Sequence, residues 1–109
     1  MNHQHIFVAD ALIDIEKELR ELRLWDLISP SPEALSSTQP FAIDTLTFPQ
    51  WLQFIFLPRL YAMIEQKLPL PVVSGVAPMA EEYFRVLAVN SAPLISHLKR
   101  IDKLLSESI

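Results

Sequence analysis

Asp44 and Arg59 are the charges set into the most apolar stretch of the sequence, residues 36–60, which reads SSTQPFAIDTLTFPQWLQFIFLPRL. An ion pair buried there would have to be mutually hydrogen-bonded, because stripping water from each ion costs several kcal/mol. Two roles follow. In a structural one, Arg59 ties a loop to a helix through Asp44 or loop carbonyls, while Gln39 and Gln53 satisfy backbone groups freed near Pro40 and Pro58. In a functional one, the same polar groups line a cleft walled by Trp51, Phe54 and Phe56, rings whose helical spacing otherwise suits an ordinary core.

Other chemistries find little support. The chain has no cysteine, which excludes disulfides, thiolate metal sites and cysteine nucleophiles. Its single glycine, Gly75, excludes phosphate-cradling loops and nucleophile elbows, which need several. His3 and His5 lie in a terminus expected to fray, His97 stands alone, and there is no Glu-x-x-His motif, so neither a metal site nor a cofactor is expected. The paired carboxylates Asp10 with Asp14 and Glu81 with Glu82 fall on predicted exposed helix surfaces, where nothing raises a pKa into an acid's working range. Ser36, Ser37 and Ser74 lack a recognisable base-and-orienter pattern. His97, Lys99, Arg100 and Lys103 form one basic cluster, interrupted by Asp102, that would suit RNA or an acidic protein. Thirteen acids against nine bases, a net charge of −4, argue against direct nucleic-acid binding and favour reading that cluster as a solvated face.

The elements that must position these residues are helices. With 109 residues, 50% of them apolar and 20% charged, the chain has the size and composition of one folded domain, 1–109. Scarce glycine disfavours a hairpin-rich β fold, so the predicted class is all-α. Val8, Leu12, Ile15, Leu19 and Leu22 recur at alternating spacings of four and three, lining one face of a first helix over about 4–25. Glu16 and Arg20 form an i,i+4 pair on its charged side. Ser29-Pro30-Ser31-Pro32 ends any helix and opens a long ordered connection, about Asp26 to Leu46.

Thr47 and Gln50 have the form of a capping box, with Pro49 in the first turn of a second helix that reaches about Lys67. Trp51 to Leu60 is apolar on every side, which makes this helix central or partner-facing, and Pro58 predicts a kink or break in it. Pro78, Glu81 and Glu82 suit the first turn of a third helix over 77–88. Asn90 or Ser91 can cap a fourth over 92–107, whose Leu94, Leu98, Ile101 and Leu105 repeat the four-three spacing. The expected architecture is a four-helix bundle with a long Pro-containing connection between its first two helices.

Ser37-Thr38-Gln39-Pro40-Phe41, Asp44-Thr45, Trp51-Leu52-Gln53 and Pro58-Arg59 occur in this order, followed by Leu68-Pro69-Leu70-Pro71 and Val76-Ala77-Pro78. As a set they resemble the YqcC-like family of small bacterial proteins, over most of the chain and least at its ends. The resemblance implies a small all-α fold and bacterial origin. For some relatives it also implies a gene beside a tRNA pseudouridine synthase. It carries over no catalytic residue.

These readings converge on a cytoplasmic, non-enzymatic interaction or accessory protein that docks a protein partner or itself. Exposure of part of Trp51, Phe54, Phe56 and Leu57 would supply the surface. The alternatives are a small-molecule binding protein or enzyme with a cleft between the 37–45 loop and the second helix, and an accessory to tRNA modification. No uncharged run approaches the roughly 20 residues of a bilayer span, so no membrane association is expected.

Overall fold

Two leucine-rich stripes face each other across the centre of the molecule. Val8, Leu12, Ile15 and Leu19 on the first helix, and Leu94, Leu98, Ile101 and Leu105 on the last, are all at 0% exposure. A computed structural model describes residues 3–72 and 75–106. Its elements are α1 (His3–Glu21), α2 (Pro32–Leu35), a 3₁₀ turn (Pro40–Ala42), α3 (Phe48–Trp51), a π-helical turn (Leu52–Phe56), α4 (Leu57–Glu65), α5 (Val76–Phe84) and α6 (Ala92–Ser106). The fold is all-α, and no strand occurs among the described residues. Helix α6 packs chiefly on α1 and α5, α4 lies against α1, and α3 touches α5.

The pairing of α1 with α6 is antiparallel. Gln4 Nε2 donates to the Leu104 carbonyl at 2.8 Å, and Arg100 Nη2 donates to Asp14 Oδ2 at 2.7 Å. The first turns of α1 are anchored rather than frayed, for the His5 ring also bonds the Leu68 carbonyl through Nε2, at 2.8 Å.

Helix α1 stops at Glu21, short of the expected residue 25. The Arg23 N–H bonds the Arg20 carbonyl at 3.0 Å and the Leu24 N–H bonds the Leu19 carbonyl at 2.9 Å, with Arg23 left-handed at φ 60°. This pattern consumes orphan carbonyls and reverses the chain. Helix α4 ends in the same way after Glu65: the N–H of Lys67, at φ 57°, bonds the Ile64 carbonyl and the Leu68 N–H bonds the Met63 carbonyl. Glycine normally fills such a position. Here a basic side chain does, and the cost of a left-handed L-residue, about 1 kcal/mol, is borne twice.

The central rod runs unbroken through α3, the π turn and α4. Its start is a reciprocal capping box, Gln50 N–H to Thr47 Oγ1 at 3.2 Å and Thr47 N–H to Gln50 Oε1 at 2.9 Å. The irregularity expected at Pro58 is a widening of the turn just before it, where the Leu57 N–H reaches back to the Leu52 carbonyl. The rod is not buried all round. Pro49, Leu52, Gln53, Phe56, Leu57 and Leu60 form one enclosed stripe, while Pro58, Arg59 and Ala62 are exposed.

The connection from 22 to 47 is ordered by short polar ties. Ser31 and Pro32, expected to end helices, instead start one: Ser31 Oγ accepts from the Ala34 N–H at 3.1 Å with Pro32 in the first turn. Thr45 Oγ1 donates to the Ala34 carbonyl at 2.7 Å.

Helix α5 also departs from expectation. Glu81 and Glu82 lie beyond its first turn, and the N-terminal dipole is met from across the fold by Asp102 of α6. The Asp102 carboxylate accepts from the Val76 N–H at 3.2 Å and the Ala77 N–H at 2.8 Å, a cap that contributes about 1 kcal/mol. Gly75 precedes it at φ 92°, a conformation that needs glycine. The fourth predicted helix was to end at residue 107, which lies outside the described residues, as does Ser74.

Candidate functional site

The cleft grows from the irregular half of the chain. Phe41 and Ala42, in the 3₁₀ turn, are both left-handed, at φ 57° and 48°. This turn aims the Phe41 ring at Trp51, with centroids 4.8 Å apart in an edge-on arrangement. Trp51 stacks in turn on Phe56 at 5.1 Å and on Phe48 at 5.9 Å. Phe48 then reaches Phe84 of α5 at 6.4 Å. One side of Trp51 is therefore held by core and the other faces an open groove of about 500 Å³.

The loop wall of this groove is Leu35, Ser37, Gln39, Pro40, Phe41 and Ala42. The opposite wall is Trp51, Phe54, Ile55 and Arg59. Such a volume lies within the range of ligand sites, although the groove is open and its lining is as polar as it is apolar.

Of the residues singled out from the sequence, Gln39, Trp51, Phe54 and Arg59 come together in this groove. Phe56 does not: it is only 5% exposed and supports Trp51 from the core side. Asp44 does not line the groove either. It is exposed and accepts a hydrogen bond from the Ser37 hydroxyl, which staples the two ends of the loop.

The buried Asp44–Arg59 pair considered above is thus absent. Both residues are exposed, and among the described residues Arg59 makes no hydrogen bond or ion pair. An apolar sequence neighbourhood says nothing about a helix's outer side, and Arg59 sits one position before the buried Leu60. Gln39 likewise makes no side-chain bond, so it does not satisfy backbone near Pro40.

Gln53 has a different task from the one expected. Nearly buried at 6% exposure, its amide accepts from the Asp26 N–H and donates to the Asp26 carbonyl, both at 2.8 Å. Gln50 Nε2 adds a bond to Asp26 Oδ2 at 3.1 Å. This clamp fixes the start of the connection to the central rod. Leu35, Ser37, Pro40, Phe41, Ala42 and Ile55 complete the groove walls; Phe41 belongs to the sequence motif quoted above, whereas nothing local marks Leu35 or Ile55.

The basic cluster on α6 is divided by the fold. Arg100 engages Asp14, Asp102 turns toward α5, and Lys99 and Lys103 remain exposed. The hydrogen bond from Arg100 lowers the Asp14 pKa below 3.8; desolvation opposes it, and the charges of Arg100, His97 and Lys17 add to it. Burial, and then the charge of Glu16, raise the Tyr61 hydroxyl above 10.0. Neither group lies in the groove. Among the described residues no cluster of three or more His, Asp or Glu side chains could hold a metal ion, and no helix is long and apolar enough to cross a membrane.

A family model described as "DUF446: tRNA pseudouridine synthase C" matches residues 7–104. The chain is 33% identical over 93 residues to the uncharacterized protein YqcC of Escherichia coli (strain K12), with 85% of each chain covered. The solution NMR structure of protein YqcC from E. coli superimposes with a TM-score of 0.83 at 32% identity, covering 97% of this chain and 91% of that one. A protein of Pectobacterium carotovorum subsp. carotovorum named tRNA pseudouridine synthase C is 45% identical over 64 residues. That match takes in 59% of this chain but spans only 17% of the relative. The near full-length likeness to YqcC in sequence and fold, together with the family match, shows that the chain belongs to the YqcC-like family.

Proposed function

We propose that this chain is a non-enzymatic accessory module that docks a protein partner through the groove between the 37–42 loop and the central rod. The observation that carries this reading is the groove's composition: rings braced from the core on one side and a cation, Arg59, with no partner among the described residues. Preformed aromatic walls with an adjacent arginine are the chemistry of interface hot spots.

The partner class is a tRNA pseudouridine synthase, which makes the module an accessory to tRNA modification. Support comes from the Pectobacterium relative, in which a segment similar to this chain occurs within a much longer protein of that name. Covalent linkage and docking are two ways of keeping the same two bodies together. The net charge of −4 favours contact with the protein over contact with tRNA.

The test is binding of the purified chain to the tRNA pseudouridine synthase of its own host, by calorimetry, for the wild type and a folded Phe54→Ala variant. Micromolar or tighter binding that weakens about tenfold in the variant is the expected result, since a truncated interface anchor typically costs 1 kcal/mol or more. Binding that is unaffected would remove the groove from the interface. A second reading, a small-molecule site, rests on the groove volume of about 500 Å³ alone, its lining being as polar as it is apolar. A compound that raises the melting temperature of the wild type but not of Phe54→Ala would support it.

A further inference from the structure

Both walls of the groove are places where the backbone leaves regular geometry. On one side two consecutive non-glycine residues, Phe41 and Ala42, are left-handed; on the other, Phe54 and Ile55 lie inside the π turn. Strained turns and π segments persist where the fold holds them in place, and both concentrate at binding sites.

The groove's lining also differs in charge from the chain as a whole. Among its described lining residues Arg59 is the sole charge, although the chain as a whole is at −4. The Gln39 side chain, with no hydrogen bond of its own, adds a second free donor to the lining. Ser37 spends its proton on Asp44.

The helical wall sets a direction. Trp51, Phe54 and Ile55 come before Arg59 along the rod, so the groove has an aromatic end and a cationic end. An extended peptide laid along it would present successive side chains to the two ends in turn.

On these grounds, and resting on the docking role proposed above, we infer that the groove takes an acidic peptide segment of the partner. An apolar side chain of the segment packs on the groove-facing surfaces of Phe41, Trp51 and Phe54, and an Asp or Glu a few residues away is received by Arg59, with Gln39 able to donate as well. Arg59 is suited to this because its planar fork can meet a carboxylate with two parallel hydrogen bonds.

The test uses short random peptides displayed on phage, selected on the wild-type chain. Affinities of the selected peptides, resynthesised with a fluorescent label, are then measured by anisotropy. The expected peptides carry an Asp or Glu within a few residues of a large apolar side chain. Arg59→Glu is expected to weaken them about tenfold or more, Arg59→Lys much less, and amidation of the acidic residue to match the loss in Arg59→Glu. Circular dichroism of the variants checks that they fold, and the peptide-side substitution reads the same contact without touching the protein.

Peptides that lose affinity in Phe54→Ala but ignore Arg59→Glu overturn this inference and leave groove docking standing. Peptides indifferent to both overturn both. Failure to select any peptide, or equal binding of N-acetyl-leucine and the best peptide, also overturns it, the latter in favour of a small-molecule site.

Discussion

The α1–α6 pair and the 22–59 segment of this chain reach order by different means. In the first, eight aliphatic side chains on two facing stripes are all at 0% exposure, and the helices carrying them are regular. In the second, order comes from discrete polar ties: the Gln53 and Gln50 clamp on Asp26, the Thr47–Gln50 box, Ser37 on Asp44 and Thr45 on Ala34. It is also where the π turn and two left-handed residues lie. Aliphatic packing is strong but featureless toward solvent, because it hides what it uses. Polar stapling is weaker per contact, yet it can hold the loop that brings Phe41 against a partly exposed Trp51. The groove belongs to the second region for that reason.

If the division is real, the largest stability effect should come from the first region. Leu98→Ala removes a side chain at 0% exposure between α1 and α5 and should cost about 3 kcal/mol. For a domain of this size that is a fall of roughly 15 °C in melting temperature, read by calorimetry. Peptide binding in the groove, measured well below the new midpoint, should be unchanged. A cost under about 1 kcal/mol would show that the stripe is not the stabilising core.

Gln53→Ala tests the other region. It strands the Asp26 N–H and carbonyl as well as deleting two buried hydrogen bonds, for a cost of about 2 kcal/mol. The distinguishing readout is hydrogen exchange. Amides of 22–47 should open faster than those of α1 and α6, which should still exchange only through global unfolding. Uniform acceleration would mean that the two regions share one cooperative unit and the contrast fails.

A smaller effect is expected where the regular rods end. Arg23→Gly and Lys67→Gly relieve left-handed strain at φ 60° and 57°. Each should stabilise by about 0.5 kcal/mol, the relief being partly offset by the entropy of an added glycine in the unfolded chain. A loss of stability at either position would show that the aliphatic stem of the side chain contributes more than its backbone costs.

The same division decides what could be read from sequence. The stripes of α1 and α6 were legible because a four-three spacing has one structural meaning, and the Thr47–Gln50 box because its partners are three residues apart. Asp102 at the start of α5 was not legible: its partners Val76 and Ala77 lie 26 and 25 residues away, and within α6 it reads as one more surface charge. Nor were the turns at Arg23 and Lys67, whose usual sign is a glycine that is not there. The Asp44–Arg59 pairing failed for another reason. Hydrophobic density along the sequence is not burial in space: a helix rich in apolar residues still has an outer side, and both residues lie on the surface.

The smallest effect expected is electrostatic, and it falls on the regular helix pair. Arg100 donates to Asp14 at 2.7 Å and holds its carboxyl pKa below 3.8, so between the folded and unfolded values the folded state binds fewer protons. The pair's stabilisation is then complete above about pH 4 and is lost as pH falls through the folded pKa. Both side chains are about 40% exposed, at 43% and 40%, so solvent screening limits the contribution to about 0.3 kcal/mol. Asp14→Asn should reduce stability by that amount at neutral pH and narrow its gap to the wild type as the solution is acidified, with added salt narrowing it too. An undiminished gap at low pH would mean that Asp14 acts through packing or hydrogen bonding that does not depend on its charge. Either way the pair that visibly links α1 to α6 should count for a fraction of one buried leucine, which is what two helices held by dry packing require.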